Sequence, residues 1–306
     1  MKSVNWGSSG QKVPAIAMGC MRMSRVPFEQ VTELVDTAIE RGVNFFDHAD
    51  IYGKGECEEI FARAVKECRR KREDVFIQSK CGIVPGRMYD FSKEHIVESV
   101  NGSLKRLKTD YLDALLLHRP DALCEPEEVA AAFDELECSG KVRYFGVSNH
   151  TPMQIELLKK YVKQPVMANQ MQFGVAHASM IRSGMEANMM SDGAVNRDGG
   201  IMDYCRVHDI TMQAWSPFQY GMFEGVFLGS DKFRALNDKI HEIAEKYGVT
   251  DTVIAVAWIL RHPANMQVLS GTMTLSRFED ILKALDIRLT REEWYAVYLA
   301  AGNILP

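Results

Sequence analysis

Short apolar runs and amphipathic stretches alternate along almost the whole chain. Ala15 to Gly19 is an apolar run with strand character. Phe28 to Arg41 follows, with Val31, Leu34, Val35, Ala38 and Ile39 at helical spacing and Gly42 placed as its C-cap. Val43 to Phe46 is a second buried strand, and a helix is predicted near Glu56 to Arg70. Asp74 to Lys80, Tyr111 to Leu117, Lys141 to Val147, Val166 to Met171, Ile210 to Trp215 and Met266 to Ser270 continue the series of strands. Helical patterns lie between them at His95–Leu107, Glu127–Cys138 after Pro126, and Thr151–Tyr161. Ser276–Leu285 and a closing helix, Thr290–Ala300, come last, with Thr290 and Glu293 spaced as a capping box.

Strands alternating with helices imply a parallel sheet, and eight of them in 306 residues suggest closure. The expected fold is α/β, a (β/α)₈ TIM barrel with an extra C-terminal helix and long loops at the C-terminal face. Residues 1–306 are expected to form one domain. The structural rival is a doubly wound open sheet, whose fingerprint is G-x-G-x-x-G after the first strand. Gly19-Cys-Met-Arg-Met-Ser24 lacks it, and Gly53-Lys-Gly55 is followed by Glu58 where a third glycine belongs. Residues 174–200, rich in Met, Asn, Asp and Gly, make a long loop after the sixth strand, where a lid or pocket wall is expected. Residues 216–230, punctuated by Pro and Gly and rich in aromatics, follow the seventh strand on the same face.

Composition narrows the class. With 46% hydrophobic and 25% charged residues the chain has ample core. A net charge of −5 carries no nucleic-acid footprint. The one basic run, Arg69 to Arg72, reads as a helix C-terminus. No stretch has 18 apolar residues in a row and the N-terminus has no apolar signal core, so neither a membrane span nor a signal peptide is expected. Seven scattered cysteines without metal-finger spacing suggest free thiols in a cytoplasmic protein with no metal centre. Nothing in the pattern assigns an oligomeric state.

Chemistry collects at the C-terminal ends of the strands, which in a barrel face one pocket. The second strand delivers Asp47 and then Tyr52, the third ends at Lys80, the fourth at His118. Ser148 and Asn149 close the fifth, Gln170 lies in the sixth and Trp215 ends the seventh. A tyrosine titrates near ~10, too high for ready proton exchange at neutral pH. A neighbouring ammonium lowers that value, an aspartate holds the ammonium in place, and a histidine can orient a carbonyl oxygen. The set is a proton donor for a carbonyl, and it needs a hydride source.

Asp47, Tyr52, Lys80 and His118, in this order, resemble the catalytic tetrad of the aldo-keto reductases, in particular a bacterial YdhF-like oxidoreductase branch. The similarity runs through DHADIYG (47–53), SKCG (79–82), LLLHRPD (115–121), GKVRYFGVSN (140–149), NQMQF (169–173), AWSPF (214–218) and the closing Gly271-Thr272…Arg277 segment. The resemblance implies a barrel that binds NADPH in extended form and reduces a small aldehyde or ketone. It implies that Ser148, Asn149 and Gln170 hydrogen-bond the nicotinamide carboxamide and that Trp215 stacks on the ring. It places Asp47 and the backbone of Gly19, Cys20 and Met21 near the ribose, with Ser216 and Phe218 along the pyrophosphate. Thr272 and Arg277 fall at the 2′-phosphate, but Gly271 stands where many members have lysine, so NADH is not excluded.

The same resemblance contains a second class, nucleotide-sensing regulatory proteins with vestigial reductase activity. A third, drawn from the residues alone, is a metal-dependent hydrolase using His48, Asp50 and His118, for which no further ligand completes a site. The substrate pocket is expected from Met23, Met88, Met171, Phe173, Phe218 and the 174–200 loop.

Overall fold

A computed structural model describes residues 2–305. Eight parallel strands close into a barrel: β1 (Ile16–Gly19), β2 (Phe45–Asp47), β3 (Phe76–Cys81), β4 (Leu112–Leu117), β5 (Val142–Ser148), β6 (Val166–Gln172), β7 (Thr211–Trp215) and β8 (Met266–Ser270). Each pairs with its chain neighbours, and β8 pairs with β1 to complete the ring. The expected barrel is the observed one. The strands are buried on both faces, which is why they read as continuous apolar runs rather than as alternating ones.

Around the barrel run α1 (Phe28–Glu40), α2 (Glu56–Glu67), α3 (Lys93–Leu107), α4 (Pro126–Cys138), α5 (Pro152–Lys159), α6 (Ser179–Met185), α7 (Ile201–Val207), α8 (Arg234–Tyr247), α9 (Asp251–Arg261), α10 (Leu275–Leu282) and α11 (Arg291–Ala300). Among the described residues no helix is long and apolar enough to cross a membrane. α1 stops as predicted: the N–H of Gly42, at φ +79°, reaches Ile39 and that of Val43 reaches Ala38, an αL termination that glycine accepts without strain. Thr290 caps α11, accepting from Glu293 N while the Glu293 carboxylate accepts from Thr290 N.

α8 and α9 carry no assignment in the sequence pattern. α9 is buried on nearly all sides, from Val253 to Leu260, so it shows no polar face to set a period. Its Trp258 stacks on Trp294 of α11 at 4.7 Å, and each indole N–H donates to the other residue's carbonyl at 3.0 Å. The pair fastens the last helix to the barrel wall. An antiparallel hairpin, Ser3–Asn5 with Lys12–Pro14, was also unassigned. It carries Trp6, fully buried against Phe45 and Phe76.

Three local expectations are corrected. α2 ends at Glu67 rather than near Arg70; the basic run closes it through backbone N–H groups, Arg69 to the Lys66 carbonyl and Arg70 to that of Val65, while its side chains make ion pairs elsewhere. Arg70 binds Asp36 and Glu40 on α1, and Arg72 binds Asp113 on β4. The 174–200 segment is not wholly irregular, and it is not a wall of the main cleft. It contains α6 and a 3₁₀ turn, tied together by Glu186 with Arg182 and Ser191, and none of its residues lines the main cleft. The third correction concerns the pocket residues Met23 and Phe173, which are core, Phe173 lying 5.7 Å from the Trp258 ring. Met171 packs against the core and Met88 is exposed on a second hairpin, Ile83–Val84 with Met88–Tyr89, so of the named side chains only Phe218 lines the cleft.

Candidate active site

Strand register brings the ionisable groups together. Asp47 is the last residue of β2 and pairs with Gly19 on one side and Gln78 on the other, while Lys80 lies two residues beyond Gln78. Both side chains are almost fully buried. The chain then turns, with the N–H of Asp50 bound to the Lys80 carbonyl and that of Tyr52 to Ala49. Gly53 and Lys54 both adopt positive φ, +58° and +57°, and a Cβ at Gly53 would meet Ser24 Oγ at 2.8 Å. That tight corner sets the phenol over the barrel mouth.

Lys80 Nζ donates to Asp47 Oδ2 at 2.9 Å, to the His48 carbonyl at 2.7 Å and to Tyr52 Oη at 3.1 Å. The His118 ring meets the Tyr52 ring edge-on, with centroids 6.0 Å apart. The four residues of the expected tetrad therefore converge. Burial works to discharge Lys80, but the Asp47 carboxylate and the hydrogen bonds to Asp47 and Tyr52 hold its pKa above the ordinary lysine value. Tyr52 departs from the sequence expectation: burial raises the phenol above its usual value, and Lys80 only partly offsets this. Burial, then the positive charge of Lys80, holds His118 well below the usual histidine range, so its ring is neutral.

Below this layer the barrel interior is polar. Asp47 Oδ1 accepts from Gln78 Nε2 at 2.5 Å and from Gln170 Nε2 at 3.0 Å. Gln213 accepts from Gln170 and Gln78 and donates to Gln267. Of these glutamines only Gln170 was picked out from the sequence. The signal for the others was available, since an amide in the middle of an apolar strand demands partners. Both amide protons of Gln170 are committed inward, to Asp47 and Gln213, which leaves its Oε1 for the cleft.

Asn149 sits in the left-handed region at φ +60°, where asparagine is tolerated. Its Nδ2 donates to Ser148 Oγ at 2.8 Å, its Oδ1 accepts from Trp215 Nε1 at 3.2 Å, and Ser148 Oγ donates to the Gln170 carbonyl at 2.9 Å. Ser148, Asn149, Gln170 and Trp215 thus brace one another across three strands.

A cleft of about 1050 Å³ opens over this face of the barrel. Gly19, Met21, Asp47, Tyr52, His118, Ser148, Asn149, Gln170, Trp215, Ser216, Phe218, Thr272 and Arg277 line it. Two of the sequence-chosen residues do not: Lys80 lies behind Tyr52, and Cys20 is fully buried. Arg22, Arg25 and Arg119 also line the cleft and were not picked out. Residues between Ser216 and Leu228 form the wall that 174–200 was expected to supply. Gly174 passes directly under that wall, where a Cβ would come within 2.2 Å of the Pro217 carbonyl oxygen.

Neighbouring ionisable groups are structural. His48 is fully buried with neither ring nitrogen hydrogen-bonded, lies 4.7 Å from the Phe61 ring, and is pushed down to about 3 by burial and by Lys80. Asp50 is pushed up to about 6 by burial and by the carboxylate of Glu58, itself held by Ser79 and Arg106. Among the described residues no cluster of three or more His, Cys, Asp or Glu is arranged to hold a metal.

Comparison with known proteins agrees with this geometry. Residues 15–298 match the Aldo/keto reductase family. The chain is 33% identical to the 6-dehydroglucose reductase of Novosphingobium aromaticivorans, over 98% of its own length and 96% of the relative's. It is 32% identical to the oxidoreductase YdhF of Escherichia coli, over 95% of each chain. The crystal structure of the thermostable aldo-keto reductase Tm1743, in complex with the inhibitor epalrestat, superposes with a TM-score of 0.79 at 28% identity, over 98% of this chain and 100% of that one. With a closed barrel, a lysine bridging aspartate to tyrosine at its mouth, and a family match over nearly the whole length, the chain belongs to the aldo/keto reductase family.

Proposed function

We propose that the protein is an NADPH-dependent reductase that converts an aldehyde or ketone to an alcohol. The observation that carries this is Lys80, whose ammonium is bound at once to Asp47 and to the phenol of Tyr52 at the edge of the cleft.

The cleft suits a dinucleotide. It extends from Tyr52 and His118 to Thr272, Arg277 and Asp280, and four arginines line it. Arg22 is bound to the Gly271 carbonyl at 2.9 Å, in the space that glycine leaves open. Ser148, Asn149, Gln170 and Trp215 would hold the nicotinamide end, with Gln170 Oε1 free to accept from the carboxamide. Arg22, Arg277 and Thr272 would hold phosphate, with Gly19, Met21, Ser216 and Phe218 between. When bound, the cofactor supplies a hydride to the carbonyl carbon.

The chain's own residues handle the proton. Tyr52 Oη accepts from Lys80, so the phenolic hydrogen is left to point into the cleft, where it can pass to the carbonyl oxygen. The phenolate that remains is stabilised by the Lys80 ammonium, held charged by Asp47. His118, neutral and with Nδ1 buried, presents its other nitrogen to orient the carbonyl oxygen.

The test is consumption of NADPH and of NADH over a panel of aldehydes, ketones and quinones. Turnover with NADPH in preference to NADH is expected. Tight NADPH binding without turnover on any carbonyl would instead indicate a nucleotide-sensing protein.

A further inference from the structure

The guanidinium of Arg119 is half-buried and, among the described residues, has no hydrogen-bonding or ionic partner. Arg119 directly follows His118 at the end of β4 and lines the cleft beside Tyr52, His118 and Trp215. Among the described residues no hydrogen-bond acceptor reaches it and no carboxylate lies within 4.0 Å. The Trp215 ring lies 5.9 Å away, at the outer limit of a cation–π contact, and offers the guanidinium no hydrogen-bond acceptor. Among the described residues only two carboxylates line the cleft and both are engaged, Asp47 by Lys80 and Asp280 by Lys283 and Thr250. A cation that sheds part of its hydration without gaining an acceptor is disfavoured until a ligand supplies one. Burial accordingly pulls the Arg119 pKa below its ordinary value.

Position separates Arg119 from the phosphate-binding end. In the closed strand order β4 stands four strands from β8 in either direction, so Arg119 lies across the barrel from Gly271 and Thr272. It is instead next to the groups that deliver the proton. The cleft it shares also carries apolar side chains, Ile83, Trp215, Met222, Phe223 and Val226.

We propose that Arg119 is a specificity-determining residue that binds an anionic group, carboxylate or phosphate, of the carbonyl substrate. The preferred substrates are then carbonyl acids with an apolar body, their anion on the Arg119 fork and their carbonyl at Tyr52 and His118. A planar guanidinium suits such a group because it can donate two parallel hydrogen bonds. The proposal rests on the reductase function proposed above.

The test uses the full chain as wild type, Arg119→Met and Arg119→Lys. With NADPH, turnover of 4-carboxybenzaldehyde is compared with that of its methyl ester, and glyceraldehyde 3-phosphate provides the phosphate arm. Wild type should favour the acid over the ester by about tenfold or more in kcat/KM. Arg119→Met should lose that factor through KM while its kcat on the ester holds, and Arg119→Lys should restore part of it. The anionic substrate that loses more in Arg119→Met identifies the preferred anion. Calorimetry with benzoate and benzamide on NADP-loaded protein gives a readout independent of turnover: Arg119→Met should weaken benzoate about tenfold and leave benzamide unchanged. Equal losses on acid and ester, or benzoate bound alike by wild type and Arg119→Met, overturn the proposal. Failure of the reductase function looks different, since no carbonyl would be consumed while benzoate discrimination persisted.

Discussion

The Lys80 ammonium lies 3.1 Å from the Tyr52 phenol oxygen and spends its other two protons on Asp47 and the His48 carbonyl. An ammonium has three donors, and here each has an acceptor inside the protein. The phenol is thereby fixed in orientation as well as in charge environment, since its oxygen can only accept from Lys80. Burial holds the proton on Tyr52, and Lys80 makes its loss tolerable.

Replacing Tyr52 with Phe should therefore remove the proton and little else. Carbonyl reduction is expected to fall by about 10²–10⁴-fold, with NADPH affinity, followed by tryptophan fluorescence, nearly unchanged. A Tyr52→Phe protein that keeps wild-type kcat would rule out Tyr52 as the acid.

Asp50 predicts a pH dependence of stability. Its carboxyl is raised by burial, then by Glu58, to about 6 from an ordinary 3.8, and its Oδ1 is buried without a partner. The folded state therefore binds the proton more tightly than the unfolded chain. Between those two values stability falls as pH rises, and above about 6 the cost is fully present. Asp50→Asn should stabilise the protein at pH 7.5 by about 3 kcal/mol, and the gain should shrink toward zero near pH 4. Urea unfolding at both pH values checks this; a gain independent of pH would contradict it.

Gly174 predicts a coupling between an apparently remote glycine and the cofactor wall. Since a Cβ at 174 would come within 2.2 Å of the Pro217 carbonyl oxygen, Gly174→Ala must displace the 216–218 segment. NADPH binding should weaken by about tenfold, equivalent to ~1.4 kcal/mol, and KM for NADPH should rise with it. Unchanged affinity would mean that Ser216 and Phe218 do not touch the cofactor.

Trp294 holds the last helix through its stack and its paired hydrogen bonds with Trp258. Trp294→Ala should destabilise the fold by about 3–5 kcal/mol: it removes the stack and the indole donor to the Trp258 carbonyl, while the Trp258 indole keeps the backbone carbonyl at 294. Tyr52 and Lys80 are far along the chain and on other elements, so the variant, while folded, should retain its kinetic constants.

Much of the protein is local in origin and therefore legible along the chain. The eight strands stand out because a parallel barrel buries both faces of each strand, so apolar runs appear without alternation. The order Asp47, Tyr52, Lys80, His118 at successive strand ends identifies the tetrad because β/α succession carries each strand end to the same face. Thr290 with Glu293, and Gly42 after α1, mark helix limits through bonds that span only a few residues.

What tertiary structure alone decided depends on who meets whom across the barrel. No local pattern tells that Gln78 and Gln170 meet at Asp47 and share Gln213, because those contacts join positions 31 to 135 residues apart. The same holds for the 174–200 segment, which a composition of Met, Asn and Gly could place anywhere, and which packing puts outside the cleft. The direction of the Tyr52 pKa shift was decided there too, since it is a contest between desolvation and Lys80 that only burial can settle. Sequence determined which residues could do the chemistry; the closed barrel decided which of them are near enough, and dry enough, to do it.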